Sequence, residues 1–175
     1  MEELNPYYIT GFVDGEGCFH LNYRSEIKGT RKGTPRYYRW KVGFSIFLKK
    51  DDKEVLQKIK NTLKCGNIYE SGGWVRYDVG EVENLFNIIT QFFRKYQLVG
   101  KKKKDFELWA EAVEIIYKNR QTIPKFEKGK RGFAKAEWDK QELQRLLEIQ
   151  TEMKKYKAET NKEPRWRHEA ENKSI

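Results

Sequence analysis

The sequence predicts an α+β domain in which a four-stranded antiparallel sheet carries helices on one face and leaves its other face open. Three observations predict it. Two long stretches, Phe19 to Arg24 and Tyr38 to Lys49, alternate apolar and polar residues with period two. Two shorter ones, "NIYES" and "WVRYDV", flank Gly72 and Gly73, a pair that tolerates the positive φ of a tight turn. Around them, apolar residues recur at the spacing of helices that pack by one face.

The elements follow in αββαββα order. Asn5 can accept a backbone N–H as N-cap, and Pro6 suits the first helical position, so a helix is predicted from Pro6 to about Gly15. In the first strand Phe19, Leu21 and Tyr23 face one way and His20, Asn22 and Arg24 the other. The segment "SEIKGTRKGTPR" reads as a long hairpin loop. The second strand then places Tyr38, Trp40, Val42, Phe44, Ile46 and Leu48 opposite Arg39, Lys41, Gly43, Ser45, Phe47 and Lys49. Asp51 or Asp52 can cap a helix bearing Val55, Leu56, Ile59 and Leu63, which ends near Gly66.

After the two short strands, Val82, Leu85, Phe86, Ile89 and Phe93 form one helical stripe, and Phe106, Trp109, Ala110, Val113 and Tyr117 another, with Asp105 as a candidate cap. Asp139, with Glu142 three residues on, opens a last helix lined by Leu143, Leu146, Leu147 and Met153. The pattern stops at Tyr156. One domain is therefore expected over 1–156, followed by a tail over 157–175 that holds five basic and four acidic residues, has little to bury and is expected to be mobile.

Charge narrows the partners. The chain of 175 residues has a net charge of +10, and residues 20 to 50 hold nine Lys or Arg against the single acid Glu26. Such a surplus favours polyanions, with nucleic acid first. Cys18 and Cys65 are the only cysteines, which excludes a disulfide framework or a paired-cysteine zinc site, and Cys18 reads as a small packed residue. His20 and His168 are too far apart to suggest a metal pair. No signal peptide or bilayer-spanning stretch is seen, so an intracellular, soluble protein without a membrane role is expected.

The first helix ends oddly. Asp14 and Glu16, each followed by glycine, sit where the helix dipole is already negative, and a carboxylate there costs up to about 1 kcal/mol, so a cation is expected nearby. Gly11 and Gly15, four apart, share a face with Tyr8 and Phe12, while Ile9 and Val13 point elsewhere. Spacing alone allows either a core helix with glycine caps or a surface that a second helix backbone can approach closely.

The stretch "ITGFVDGEG", Ile9 to Gly17, resembles the LAGLIDADG motif of homing endonucleases, with Gly11, Asp14 and Gly17 in register and Glu16 where the family usually has Asp. "GFSIFLKKDDKEVLQKIK", "RYDV" and "GKKKKDFELW" are similar to the family's second strand and helix, fourth strand and lysine turn, so the resemblance covers most of residues 6 to 118. It implies a homing-endonuclease-like domain and a metal-dependent, site-specific DNA endonuclease, a phosphodiester hydrolase encoded in an intron or intein-like element. A compartment holding DNA, cytoplasmic or organellar, would suit it.

With one motif copy in the sequence, the resemblance implies a homodimer on a pseudo-palindromic duplex, paired through Tyr8, Gly11, Phe12 and Gly15. It implies Glu16 and the Gly15 carbonyl as ligands of Mg²⁺, with Mn²⁺ or Ca²⁺ able to substitute for binding. The metal would polarise the phosphate, activate water and stabilise the leaving oxygen. Asp14 would fix the helix end, and Lys102, with Lys101 next, would stabilise phosphate charge or orient water.

On the open sheet face the implied DNA contacts are His20, Asn22, Arg24, Arg39, Lys41, Ser45, Lys49, Asn67, Tyr69, Ser71, Trp74 and Arg76, as a strand ribbon fits the major groove. Lys28, Arg31, Lys32 and Arg36 would hold phosphates. One departure stands out: Leu48 replaces the polar residue, often Gln, that holds water in relatives, a role open to Lys49 or Lys50. The competing function is a binding module, an RNA maturase acting on intron RNA or a non-cleaving DNA regulator.

Overall fold

The structure, a computed structural model, describes residues 3–27, 36–122 and 138–160, with backbone alone at 25–27, 36–38 and 156–160. Helix α1 (Pro6–Glu16) starts as predicted: the Asn5 side chain accepts from the Tyr7 amide at 2.9 Å, with Pro6 in the first turn. Its Ile9 and Val13 are fully buried. The chain leaves α1 at Gly17 in extended conformation and runs directly into β1 (Gly17–Ile27). A Cβ at Gly17 would lie 2.5 Å from Val13 Cγ1 and 2.9 Å from the Val13 carbonyl, so only glycine makes this bend without repacking.

Strand β1 pairs antiparallel with β2 (Arg36–Lys49), which pairs with β4 (Trp74–Val79), which pairs with β3 (Asn67–Ser71). The sheet order is β1-β2-β4-β3. Period two decides the two faces. Phe19, Leu21, Trp40, Val42, Phe44, Ile46, Leu48, Val75, Tyr77 and Val79 are buried against the helices. Phe19 stands at the centre, its ring 5.2 Å from Phe44, 5.8 Å from Phe93 and 4.9 Å from Trp109. Burying each such ring is worth roughly 2–3 kcal/mol. Tyr23, expected on the same face, is about half exposed at its margin, packed on Trp40.

Helix α2 (Lys53–Leu63) follows a 3₁₀ turn at Lys50–Asp52. Neither aspartate makes a capping bond to it, because the 3₁₀ turn already carries the backbone into the helix; the acids act through the dipole alone. The helix ends on Lys64 at φ 57°, and Gly66 follows at φ 76°, where a Cβ would crowd the Tyr77 ring at 2.7 Å.

The stripe at 82–95 is one helix in three parts: α3 (Val82–Asn84), a π-helical stretch at Leu85–Thr90, and α4 (Gln91–Lys95). Within it the buried Thr90 hydroxyl donates to the Leu85 carbonyl five residues back. Helix α5 (Lys102–Gln121) begins three residues before Asp105, so Asp105 is not its cap. It lies in the first turn and is buried, and the Lys103 amide bonds to the Gly100 carbonyl at the entry instead.

Helix α6 (Lys140–Thr160) is capped by Asp139, which accepts from the Gln141 amide at 2.6 Å. It buries Leu146, Ile149 and Met153; Leu147, expected among them, is turned about 100° from Leu146 and is exposed. The helix runs four residues past Tyr156, into the stretch assigned to the tail; residues 161–175 lie outside the described part. Arg145 fastens α6 to α5 through both oxygens of Glu111, at 2.6 and 2.8 Å. Among the described residues no helix is long and apolar enough to cross a membrane.

Candidate nuclease site and nucleic-acid interface

The cation expected at the end of α1 comes from 87 residues away: Lys102 Nζ donates to the Gly15 carbonyl at 3.1 Å. That carbonyl belongs to the last helical turn, which has no intrahelical donor to meet it. Burial pushes the Lys102 ammonium below the ordinary lysine value of 10.5, opposed by charge on Cys18, Asp14, Glu16 and Asp105 around it. Lys102 is half-buried, whereas Lys101 and Lys103 are exposed and Lys103 reaches Gln97.

Asp14 is engaged by backbone amides. Its Oδ2 accepts from the Val99 amide at 2.9 Å and the Gly100 amide at 3.2 Å, which ties the end of α1 to the turn that delivers Lys102. Thr10 adds a second tie, donating to the Tyr96 carbonyl. Glu16 is left exposed as the last residue of α1, directly before the sheet. The structure thus brings Asp14, Gly15, Glu16 and Lys102 together, with Lys101 at the rim.

Cys18 is exposed, not packed as expected, because its register puts it on the face opposite Phe19. Cys65 is the buried cysteine, and burial raises its thiol pKa. Among the described residues no group of three or more His, Cys, Asp or Glu forms a metal cluster.

Rows across the open face are given by the strand register. Cys18, Ser45, Asp78 and Asn67 form the row beside Glu16; Phe47, Arg76 and Tyr69 form the next, and Lys49, Trp74 and Ser71 the one after. In the other direction lie His20 with Gly43, Asn22 with Lys41 and Arg24 with Arg39. Every described side chain expected on this face is on it and is exposed or half-buried. Lys28, Arg31 and Lys32 lie outside the described residues, and Arg36 is described as backbone at the start of β2.

Three features of this face escaped the sequence reading of its contacts. Arg76 is held by Asp78 at 3.7 Å and lies 5.4 Å from the Tyr69 ring centre. Phe47 and Trp74 stack with centroids 5.0 Å apart and planes 14° from parallel. Gly43 lets the His20 ring lie across β2, since a Cβ there would meet His20 Cε1 at 2.7 Å. A glycine in the middle of an alternating strand was the available signal for that close approach.

Leu48 is buried opposite Val75, so it serves the core. Of the two lysines able to replace a polar group there, Lys50 pairs with Glu70 at 3.3 Å, while Lys49 is exposed on the open face. On α1, Gly11 and Gly15 are exposed, and a Cβ at either would meet nothing within 4 Å among the described residues. Tyr8 is exposed beside them and stacks on the half-buried Phe12 at 6.0 Å.

An open sheet rich in cations borders a helix end where a carboxylate, a carbonyl and a lysine lie together, on an α+β domain with a four-stranded antiparallel sheet. The chain belongs to the LAGLIDADG endonuclease family, whose family model matches residues 9–113. It is 33% identical over 129 residues to a Podospora anserina protein of ND4 intron 1, covering 71% of this chain and 27% of that protein. It is 34% identical over 125 residues to a Neurospora crassa protein named "Probable intron-encoded endonuclease 2", covering 68% of this chain and 26% of the other.

Among solved structures, I-SmaMI bound to uncleaved DNA target with calcium ions superposes with TM-score 0.65 at 25% identity, covering 87% of this chain and 46% of that one. The meganuclease I-AabMI bound to uncleaved DNA superposes with TM-score 0.57 at 35% identity, covering 67% of this chain and 39% of that one. The chain therefore spans about a quarter of these two intron-encoded relatives and less than half of the solved chains.

Proposed function

We propose that the protein is a site-specific DNA endonuclease that hydrolyses phosphodiesters with a divalent metal, acting as a homodimer on a pseudo-palindromic site. The observation that carries this reading is the contact of Lys102 with the Gly15 carbonyl beside the exposed Glu16, a cation and two kinds of oxygen donor converging at one helix end. The two solved relatives are bound to DNA, one of them in the presence of calcium ions, which supports duplex DNA as the partner and a divalent cation as the cofactor. The intron-borne relatives support a mobile element as the source and an organelle or other DNA-holding compartment as the place of action.

The donor set suits a hard cation. Mg²⁺ takes few protein ligands and completes its shell with water and phosphate oxygen, so one carboxylate and one carbonyl from each copy are enough, and no larger acidic cluster is required. Glu16 and Gly15 would hold it. When bound, it supplies polarisation of the phosphate and a water of lowered pKa. Lys102 neutralises charge at the helix end and places an ammonium where phosphate charge grows. Asp14 is a positioning residue: by holding the Val99 and Gly100 amides it sets where Lys102 emerges.

The Gly11 and Gly15 face supports pairing, because a second helix can approach it to backbone distance with no side chain intervening. The open sheet supports DNA contact through His20, Asn22, Arg24, Arg39, Lys41, Ser45, Lys49, Asn67, Tyr69, Ser71, Trp74 and Arg76. Purified protein with Mg²⁺ should cut DNA spanning the insertion junction of its own gene. Glu16→Gln should abolish cutting while leaving duplex binding within about threefold, since one neutralised carboxylate removes a metal ligand but no phosphate contact. Equal cutting by both proteins would remove Glu16 from the site. Tight binding of intron RNA without any DNA cleavage would instead select the splicing-factor reading.

A further inference from the structure

We propose that the stacked Phe47–Trp74 pair reads thymine in the major groove through the C5 methyl group, near the bond that is cut. The inference rests on the proposed DNA-binding role of the open sheet and adds a specificity element to it. Both rings are large and apolar, yet Phe47 is 53% and Trp74 44% exposed, on the face of the sheet turned away from the core. They come from different strands and meet across a diagonal of the β2–β4 ladder, in which Lys49 opposes Trp74 and Phe47 opposes Arg76.

The surroundings choose the occupant. Lys49, Ser71, Tyr69 and Arg76 border the pair, and Arg76 is already held in place by Asp78 and Tyr69. An apolar patch framed by cations complements a ligand that is anionic at its edges and apolar at one point. Of the four bases, only thymine shows an apolar group in the major groove; cytosine shows a hydrogen-bond donor there, and adenine and guanine show polar edges. Of this pair only the Trp74 indole N–H can hydrogen-bond, and a single donor leaves the amino groups of adenine and cytosine and one of the two acceptors of guanine desolvated.

Register places the pair close to the chemistry. Gly17, next after Glu16, pairs with Ile46, and Phe47 is the following residue on β2. The thymine should therefore lie in the inner part of each half-site, not in the outer part facing Arg24 and Arg39.

The test starts from a randomised duplex pool, from which full-length protein in Ca²⁺ selects its bound sequences. The selected duplex is then remade with deoxyuridine replacing thymidine at one position at a time, which removes only the methyl group. At one or two inner positions the loss should weaken binding about fivefold, the scale of one methyl withdrawn from apolar contact. Phe47→Ser and Trp74→Ser should bind the thymidine and deoxyuridine duplexes alike, while Phe47→Leu, which keeps an apolar surface, should still prefer thymidine. Thermal unfolding of each variant checks that it is folded. Equal binding of both duplexes by the unmodified protein would overturn the inference, as would a thymidine preference that persists in Trp74→Ser. A pool that enriches no sequence would sink the DNA-binding reading of the sheet itself, a failure separable from that of the aromatic pair.

Discussion

The glycine at the α1–β1 junction and those on the exposed face of α1 serve opposite purposes. At Gly17 the reason is internal: Val13 occupies the place a side chain would take, both with Cγ1 and with its carbonyl. At Gly11 and Gly15 nothing among the described residues comes within 4 Å of an added Cβ. The internal side is explained by the fold of one molecule. The external side is not, since glycine in a helix costs up to about 1 kcal/mol relative to alanine and gains nothing here from local packing. What the contrast teaches is the difference between a glycine that the single chain requires and glycines that its described residues leave uncontacted, and the latter suit the pairing surface proposed above.

Four measurements would break or sharpen the contrast. On the internal side, Ile9→Ala should destabilise the fold by about 3 kcal/mol, read as a lower denaturant midpoint, because a fully buried side chain would leave a cavity. Gly17→Ala should cost about 2 kcal/mol by overpacking against Val13, with a lower unfolding temperature.

On the external side, Gly11→Ala should raise the stability of the single chain by up to about 1 kcal/mol while weakening self-association in analytical ultracentrifugation. Opposite signs in the two assays are the diagnostic result. If Gly11→Ala lowers stability as Gly17→Ala does, the two sides are not different in kind, and the pairing surface must be sought elsewhere.

The smallest effect concerns pH. Burial holds the Lys102 pKa below 10.5, its unfolded value, so at neutral pH the folded state carries the full cost of that charge. As pH rises through the lowered folded pKa, the native protein sheds the proton while the unfolded chain still binds it, and stability rises until the pH passes 10.5. Relative to Lys102→Met, the unmodified protein should gain stability in that alkaline window, and cleavage should fall across the same window. Paired thermal-melt and cleavage profiles against pH would show the two curves moving in opposite directions.

Much of this was legible in the residues. Alternation at Phe19 to Arg24 and at Trp40 to Lys49 set the register and therefore the two faces, because a slip of one position would turn every side chain over. Asn5 and Pro6 marked the start of α1 through chemistry that acts within two residues. The site was harder to see. Two acids at a helix end called for a cation, but only the family resemblance singled out Lys102, since four adjacent lysines look alike locally until the turn before α5 is folded. Asp105 was misread as a cap for the same reason: helix entry depends on where Gly100 accepts its hydrogen bond. The amides that hold Asp14 carry no side-chain signature at all.

Gln150 Nε2 donates to the Leu21 carbonyl at 3.2 Å, which places α6 against β1, a border strand of the sheet. A border strand carries unsatisfied backbone groups that can template the addition of a foreign strand. Helix α6 covers one backbone acceptor of that edge through this bond, and a chain shortened before Asp139 should expose it and aggregate more readily along β1, read as light scattering on incubation.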